Sequence, residues 1–253
     1  MNSVKKVVVI LPTYNERENI SKIVPQIFEG LSSDRVSVKI VVIDDNSPDG
    51  TADTVKAMDG FGIHVFLINR SGKLGLGSAY AAGYRWALED SADCIVQMDA
   101  DFSHRPSVAI DLVTMINDGY DVAVASRYVK GGATESWPMR RRIMSSSANY
   151  LVRFFLRTGV RDNTTGYRAI KASVIRDLLE YDIKSKGFSY LIETMFIFKQ
   201  LGLGVAEVPL IFRNREYGET KLEFIEILKF LGTIGRLLLI GLQRGSGKTI
   251  SSE

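Results

Sequence analysis

The chain has 253 residues, of which 45% are hydrophobic and 24% are charged, so it can fold into one large domain with a full apolar core. A single cysteine, Cys94, excludes a disulfide framework and a cysteine-based zinc site, and two histidines exclude a histidine-rich metal site. The net charge of +3 is uneven, because the chain from Pro138 onward has 19 Lys and Arg against 11 Asp and Glu, and the preceding part has 13 against 18. This asymmetry indicates that the C-terminal part meets an anionic substrate or surface.

Short β-branched runs alternate with helical segments over the first 126 residues. The strands are predicted at residues 7–11, 38–43, 64–68, 94–98 and 121–125. The helices are predicted near residues 16–31, 51–58, 78–89 and 107–118. Because the strands are continuously apolar, we expect both of their faces to be buried. The β-α-β-α order predicts an α/β fold with a Rossmann-like, mostly parallel sheet flanked by helices.

The pattern changes after residue 127. We predict a glycine-rich loop at 129–138, helices at 139–157 and 191–201, a strand at 206–213 and a charged, mobile loop at 214–221. A further helix is predicted over 220–242, where Glu226, Lys229 and Arg236 interrupt an apolar run. Charges at this spacing favour a helix that lies on a bilayer or docks on a partner, and a core helix is the alternative. We therefore predict a catalytic domain over residues 1–222 and an amphipathic, membrane- or partner-associating segment over 223–253.

Two carboxylates, Asp99 and Asp101, follow directly on the predicted strand at 94–98. Two carboxylates that close together repel each other unless a cation lies between them. Mg²⁺ takes oxygen ligands and is commonly shared between carboxylates and substrate phosphates. The alternative is a solvated acidic turn. In parallel sheets, however, ligands bind beyond the carboxyl ends of the strands, and this position favours a metal site.

Other polar residues follow the first two predicted strands. Asp44 and Asp45 end the second strand, where an acid can bind a ribose hydroxyl or a base N–H. Tyr14 follows the first strand and could stack on a nucleobase, to which Glu16 could bond. The alternative is that such residues serve only turns and helix starts.

The motifs occur in a fixed order along the chain. They read PTYNE at 12–16, VIDDNSPDGT at 42–51, MDADFSHRP at 98–106, ASRY at 125–128, DNTTGYR at 162–168, KGFS at 186–189, and Arg213 followed by GETKL at 218–222. This series resembles glycosyltransferase family 2 with the GT-A fold, and within it the polyprenol- or dolichol-phosphate mannosyltransferases. The resemblance covers residues 7–231, and the order and spacing of the motifs are more specific than any one of them.

The resemblance implies roles for individual residues. The guanine nucleoside would be held by Pro12, Tyr14, Glu16 and Asp44 or Asp45. Asp99 and Asp101 would hold Mg²⁺ or Mn²⁺ and, through it, the donor diphosphate; some relatives have Gln as a further ligand where this sequence has Ser103. Arg127 and Arg140 would face the acceptor phosphate. Arg213 and Lys221 would close over the donor, so that Asp101, Arg127 and Arg213 form the catalytic set.

The implied reaction is an inverting transfer of mannose from GDP-mannose to a polyprenyl or dolichyl phosphate, which gives a β-mannosyl phosphoryl lipid. The enzyme would be peripheral on the cytoplasmic face of a membrane, the endoplasmic reticulum in a eukaryote or the plasma membrane in a prokaryote. Small membrane-anchoring subunits are candidate partners. One alternative is the same reaction with UDP-glucose, and another is a non-catalytic nucleotide-sugar-binding subunit. We do not expect a nucleic-acid partner, because no basic motif interleaved with aromatic residues is present.

Overall fold

The structure, a computed structural model, describes residues 3–32, 36–213 and 224–245. Its strands are β1 (Lys6–Thr13), β2 (Ser37–Asp44), β3 (Val65–Asn69), β4 (Cys94–Gln97), β5 (Val122–Ser126), β6 (Ala133–Thr134), β7 (Arg168–Lys171), β8 (Val205–Pro209) and β9 (Ile211–Phe212). Its helices are α1 (Arg17–Leu31), α2 (Thr51–Lys56), α3 (Leu76–Glu89), α4 (Val108–Asn117), α5 (Met139–Leu156), α6 (Ala172–Leu179), α7 (Phe188–Gln200) and α8 (Phe224–Gly245). The predicted loop at 214–221 lies outside the described residues.

Seven strands form one sheet in the order β3-β2-β1-β4-β7-β5-β8. All neighbouring strands are parallel except β7, which runs antiparallel to both β4 and β5. Strands β6 and β9 form a separate parallel pair. The mostly parallel sheet flanked by helices is therefore as predicted.

The sheet has an apolar layer on each face. Helices α1 and α4 pack on one face, and α3, α6 and α7 pack on the other. Continuous apolar strands suit this arrangement because both faces of each strand are covered. Gly83 of α3 lies against β1, since a Cβ atom at this position would come within 2.7 Å of Ile10 Cγ2. The missing side chain thus sets how closely α3 approaches the sheet.

Four elements differ from the sequence prediction, among them the two-residue strand β6, which lies within the predicted loop at 129–138. Strand β7 and helix α6 were not predicted, because a four-residue strand with a basic residue at each end gives no apolar run. The strand predicted at 206–213 divides at Leu210 into β8 and β9, which belong to different sheets. The Leu210 backbone N–H donates to the carbonyl of Ser126 at 2.9 Å, and this bond holds the chain where it changes sheets.

The C-terminal helix predicted over 220–242 is present as α8 in its described part. Its inner face buries Ile234 and Leu237 against α5 and α7, while Leu231, Leu239 and Leu242 are exposed. The alternative interpretation of α8 as a core helix therefore accounts for only one of its faces. Within the described ranges, no helix is both long enough and apolar enough to cross a membrane. The domain boundary after residue 222 stays a prediction.

Candidate active site

The carboxyl ends of the central strands meet at one edge of the sheet. Thr13, the last residue of β1, is paired with Asp44, the last residue of β2. Strand β4 lies on the other side of β1 and leads directly into the turn that carries Asp99 and Asp101. The parallel pairing of β1, β2 and β4 therefore brings their three terminal loops to a common edge, where ligands of such sheets bind.

The turn after β4 presents two carboxylates and a hydroxyl. Asp101 is buried, and its Oδ1 accepts a hydrogen bond from the backbone N–H of Ser103 at 3.0 Å. The Asp99 side chain is 34% exposed. The Ser103 Oγ is buried and has no hydrogen-bond partner in the described part of the chain. These are hard oxygen donors of the kind that Mg²⁺ and Mn²⁺ bind.

Protein ligands alone do not complete a metal shell here. No group of three or more Asp, Glu, His or Cys side chains within the described ranges has the arrangement of a metal site. A cation held by Asp99 and Asp101 would keep positions for water and substrate phosphate, as is usual for Mg²⁺.

His104 packs beneath Asp99. Its Nδ1 accepts a hydrogen bond from the Asp99 backbone N–H at 3.0 Å, so the neutral ring carries its proton on Nε2. This Nε2 lies 3.9 Å from Asp99 Oδ2. The ring is buried, stacks on Tyr167 and meets the edge of Phe212. His104 therefore contacts both the backbone and the carboxylate of Asp99.

A buried phenol also approaches this turn. The Tyr80 hydroxyl is enclosed and forms no hydrogen bond with any described residue. A Cβ atom at Gly166 would lie 3.5 Å from this hydroxyl and 3.6 Å from Asp99 Oδ1, so a side chain there would fill the space between the two. Burial raises the pKa of Tyr80 well above its usual value, and the negative charge of Asp99 raises it further. The Tyr80 hydroxyl is thus a protonated, neutral group on the other side of Gly166 from Asp99.

Arg127, predicted to face an acceptor phosphate, is held in a buried ion pair at the end of β5. Its Nε and Nη2 donate to the two carboxylate oxygens of Asp162 at 2.7 and 2.6 Å, and Nη2 also donates to Thr164. Burial alone would raise the pKa of Asp162, but the charge and hydrogen bonds of Arg127 hold it below the usual value. Within the described ranges, Nη1 is the only nitrogen of the Arg127 guanidinium without a hydrogen bond.

The other predicted basic residues differ in their surroundings. Arg140 is exposed in the first turn of α5. The Arg213 backbone N–H lies 3.4 Å from the Ser103 carbonyl, beside the acidic turn, and its Nε donates to Glu135 at 2.9 Å. Lys221 lies outside the described residues. The structure therefore places Arg213 next to the turn and Arg140 on the surface of α5.

The two acids after β2 have different environments. Asp44 is fully buried and accepts hydrogen bonds from the Thr13 hydroxyl and from both the N–H and the hydroxyl of Ser47. Asp45 instead forms an ion pair with Arg70, which follows β3. The carboxylate of Asp44 is thus used within the fold, whereas Asp45 and Arg70 form a charged pair at the edge.

The residues that follow β1 border the same edge. Tyr14 is 37% exposed, and the ammonium of Lys73 lies 3.4 Å from the centre of its ring. Glu16 accepts a hydrogen bond from the Asn19 side chain at 2.7 Å, and Pro12 is half-buried. An exposed aromatic ring with a cation above it is suited to an anionic aromatic ligand such as a nucleotide.

A sequence profile described as "Glycosyl transferase family 2" matches residues 8–179, which include the site residues that follow β1 to β5 but not Arg213. The chain belongs to glycosyltransferase family 2. The resemblance seen in the motifs is thereby confirmed at the level of the family.

Curated relatives of this glycosyltransferase have more specific names. A protein of Mycolicibacterium smegmatis named "Polyprenol monophosphomannose synthase" is 40% identical over 221 residues, which cover 86% of this chain and 81% of that protein. A protein of Micrococcus luteus named "Undecaprenyl-phosphate mannosyltransferase" is 36% identical over 217 residues, which cover 86% of this chain and 87% of that protein.

Solved structures share the fold of the glycosyltransferase. Mannosyl-3-phosphoglycerate synthase from Rubrobacter xylanophilus superposes with a TM-score of 0.67 at 17% identity. The superposition covers 99% of this chain and 77% of the synthase chain. Glucosyl-3-phosphoglycerate synthase from Mycobacterium tuberculosis, in complex with Mn²⁺, UDP and phosphoglyceric acid, gives a TM-score of 0.64 at 20% identity over 92% of this chain and 78% of its own. The predicted GT-A type of fold is confirmed.

Several residues that border the candidate site were not predicted. Arg70 and Lys73 follow β3 and could have been found by applying the strand-end rule to that strand. Asp162 lies within a quoted motif, but its pairing with Arg127 joins positions 35 residues apart. Tyr80 gave no signal, because a tyrosine within a helical apolar pattern is typical of core packing.

Proposed function

We propose that the protein transfers mannose, with inversion, from GDP-mannose to the phosphate of a polyprenyl or dolichyl phosphate. The proposal rests on one observation, the meeting of an acidic turn after β4 with a buried arginine after β5 at the edge where the nucleotide-side residues also lie. The names of the two curated relatives support mannose and a polyprenyl phosphate. No name or contact fixes the donor nucleotide, so GDP is part of the proposal.

On the nucleotide side, Tyr14 would stack on the base, with Pro12 and Glu16 beside it. Asp45 would meet the nucleoside rather than Asp44, because the Asp44 carboxylate is enclosed by Thr13 and Ser47. Lys73 above the Tyr14 ring adds positive charge where a diphosphate would enter.

At the acidic turn, Asp99 and Asp101 would hold Mg²⁺ or Mn²⁺, which stabilises the negative charge of the leaving diphosphate. His104, which contacts both the backbone and the carboxylate of Asp99, would keep that carboxylate in place. Arg213 borders this turn and would add positive charge near the diphosphate, together with Lys221.

On the acceptor side, Nη1 of Arg127 would contact the lipid phosphate, and Arg140 would meet it from α5. Asp162 fixes the guanidinium plane, so the phosphate meets a donor that is already oriented. A phosphate acceptor is anionic at neutral pH and needs no general base, unlike a hydroxyl acceptor. Direct attack by that phosphate on the sugar carbon predicts inversion.

Helix α5 would bring the site to the membrane. It begins beside Trp137, whose ring lies 5.5 Å from Arg127, and it exposes Met139, Ile143, Tyr150 and Phe154. Exposed apolar side chains next to Arg140 suit a helix that lies on an anionic bilayer. We therefore propose peripheral association with the cytoplasmic face, directly or through a small anchoring subunit.

The test is transfer of radiolabel to the organic phase with Mg²⁺ and a polyprenyl phosphate, from GDP-mannose or, in parallel, from UDP-glucose. We expect label from GDP-mannose only, and a loss of at least 100-fold in Asp101→Asn. The matched control is Asp111→Asn, which removes an exposed acid of α4 and should retain activity. Binding of Mn²⁺, followed by electron paramagnetic resonance, should weaken in Asp101→Asn alone.

Each other outcome has a definite meaning. Label from UDP-glucose only would overturn the donor assignment and keep the reaction class. A folded protein that binds GDP-mannose but labels no lipid would favour the non-catalytic subunit. Activity that survives Asp101→Asn would remove this turn from the mechanism.

A further inference from the structure

Phe212 is the last residue of the short strand β9. It is paired with Thr134 of β6, and its carbonyl accepts a hydrogen bond from the Glu135 backbone N–H at 2.8 Å. These backbone contacts fix the position of its half-buried side chain. A phenylalanine side chain has no group that binds a metal ion or transfers a proton, so any effect of Phe212 on the site must come from what its ring contacts.

The ring of Phe212 contacts the histidine that packs beneath the acidic turn. The ring centres of Phe212 and His104 are 5.7 Å apart, and the two rings meet edge to face at 77°. The same imidazole stacks on Tyr167, so it is held by two aromatic rings. His104 in turn contacts the backbone N–H and the carboxylate of Asp99. Aromatic pairs in these geometries are favourable, and Phe212 therefore restrains the ring that supports Asp99.

The same phenylalanine also lies beside Arg127. The guanidinium carbon is 5.5 Å from the centre of the Phe212 ring, 5.5 Å from that of Trp137 and 5.4 Å from that of Tyr128. Phe212 and Trp137 meet edge to face, with ring centres 5.3 Å apart. Asp162 holds the guanidinium nitrogens, and the aromatic rings around the guanidinium favour its charge and limit its movement.

We propose that Phe212 is a positioning residue that acts on both halves of the site, on Asp99 through His104 and on the Arg127 guanidinium directly. The inference rests on the proposed function, in which Asp99 holds the metal ion and Arg127 meets the acceptor phosphate. It assigns the relative placement of donor and acceptor to one side chain that joins the two. A residue that only fills space in the core would contribute to stability and not to the affinity for either ligand.

The first experiment measures binding of Mn²⁺ by electron paramagnetic resonance and binding of farnesyl phosphate by calorimetry, each to the full chain. Phe212→Leu keeps an apolar side chain but removes the ring. The Kd for Mn²⁺ should rise about three- to tenfold and the Kd for farnesyl phosphate about two- to fivefold, as expected for the loss of aromatic and cation–π contacts. Phe212→Tyr keeps the ring, and both of its Kd values should stay within about twofold of the wild type.

Phe28 on α1 offers a matched control. It is a half-buried phenylalanine that packs on the same apolar core as Phe212, and its ring meets His64 edge to face with ring centres 6.2 Å apart. His64 directly precedes β3, at the amino ends of the parallel strands and opposite the site. Phe28→Leu therefore removes the same ring and the same kind of histidine contact. It should lower the resistance to urea as Phe212→Leu does and should leave both Kd values unchanged.

A double variant tests the route through His104. If Phe212 acts on the acidic turn by holding the imidazole, its effect on Mn²⁺ binding should vanish once the imidazole is removed. Phe212→Leu/His104→Ala should therefore bind Mn²⁺ about as tightly as His104→Ala alone. If Phe212→Leu does not fold, Phe212→Met replaces it in every comparison, because its longer apolar side chain fills more of the same space.

Three results would overturn the proposal. Equal Kd values in Phe212→Leu and Phe28→Leu would show that Phe212 only fills space. Losses in Mn²⁺ binding that add in the double variant would remove the route through His104. Unchanged binding of farnesyl phosphate by Phe212→Leu would remove the direct effect on Arg127. Neither binding assay contains a sugar donor, so a protein whose two Kd values change as expected but which transfers no mannose contradicts only the proposed reaction.

Discussion

Replacing Asp162 by Asn is expected to remove the charge that neutralises Arg127 at the end of β5. Asp162 is fully buried and Arg127 is 9% exposed. Asp162 accepts three hydrogen bonds from Arg127, from the backbone N–H, Nε and Nη2. Asn keeps the shape of the Asp162 side chain, but an NH₂ group replaces one carboxylate oxygen and faces the N–H groups of the Arg127 guanidinium. The guanidinium is left buried without its counter-charge.

The expected loss in the free energy of unfolding is about 3–5 kcal/mol, the usual cost of removing one partner of a buried ion pair. In a protein of this size that lowers Tm by about 6–20 °C. Urea unfolding followed by tryptophan fluorescence measures the loss, and Trp137, which lies beside Arg127, reports on the site itself. The control Asp53→Asn breaks the exposed pair with Lys56 and should cost less than about 0.5 kcal/mol.

The pH dependence follows from the lowered pKa of Asp162. A carboxyl whose pKa is lower in the folded state stabilises the protein above its unfolded pKa of about 3.9 and loses that contribution as pH falls through the folded value. The stability difference between the wild type and Asp162→Asn should therefore be constant from pH 5 to 7. It should begin to narrow as the pH falls below about 4 and should disappear once the pH is below the folded pKa of Asp162. A loss under about 1 kcal/mol at pH 7, with an unchanged denaturant slope, would refute the reasoning.

Three further outcomes are expected. Burial raises the pKa of the Cys94 thiol to about 12, so about one thiol in ten thousand is ionised at pH 8, and it should resist Ellman's reagent until the protein is unfolded. Gly83→Ala should lower the free energy of unfolding by about 1–3 kcal/mol, measured in urea, because its methyl group overlaps Ile10 and outweighs the better helix propensity of Ala. His104→Phe should weaken Mn²⁺ binding and lower kcat. His104→Asn keeps an acceptor for the Asp99 N–H, so its losses in Mn²⁺ binding and kcat should be smaller than those of His104→Phe. Equal losses in the two variants would contradict a positioning role for His104.

Much of the sheet could be predicted because its parallel strands are buried on both faces and read as continuous apolar runs. The end of β4 predicted Asp99 and Asp101 for the same reason, whereas Arg127 after β5 was implied only by the family resemblance. Strand β7 could not be predicted, since its pairing depends on the two strands that enclose it rather than on an apolar run of its own.

The environments of site residues were less predictable than their positions. Asp44 and Asp45 are adjacent in sequence, yet one is enclosed by Thr13 and Ser47 and the other pairs with Arg70. Their different surroundings depend on the loops after β1 and β3. Such contacts arise only once the strands are aligned, and the local sequence does not encode them.

The antiparallel strand β7 separates the two halves of the site by a fixed amount. It lies between β4 and β5, so the ends of those strands are two interstrand spacings apart, about 10 Å. In the proposed reaction, that gap would leave room for one sugar unit between a diphosphate at the end of β4 and a phosphate at the end of β5. Without β7 the two anions would meet with no sugar between them. If the proposed placement of donor and acceptor is right, the insertion of one reversed strand sets the size of the group that can be transferred.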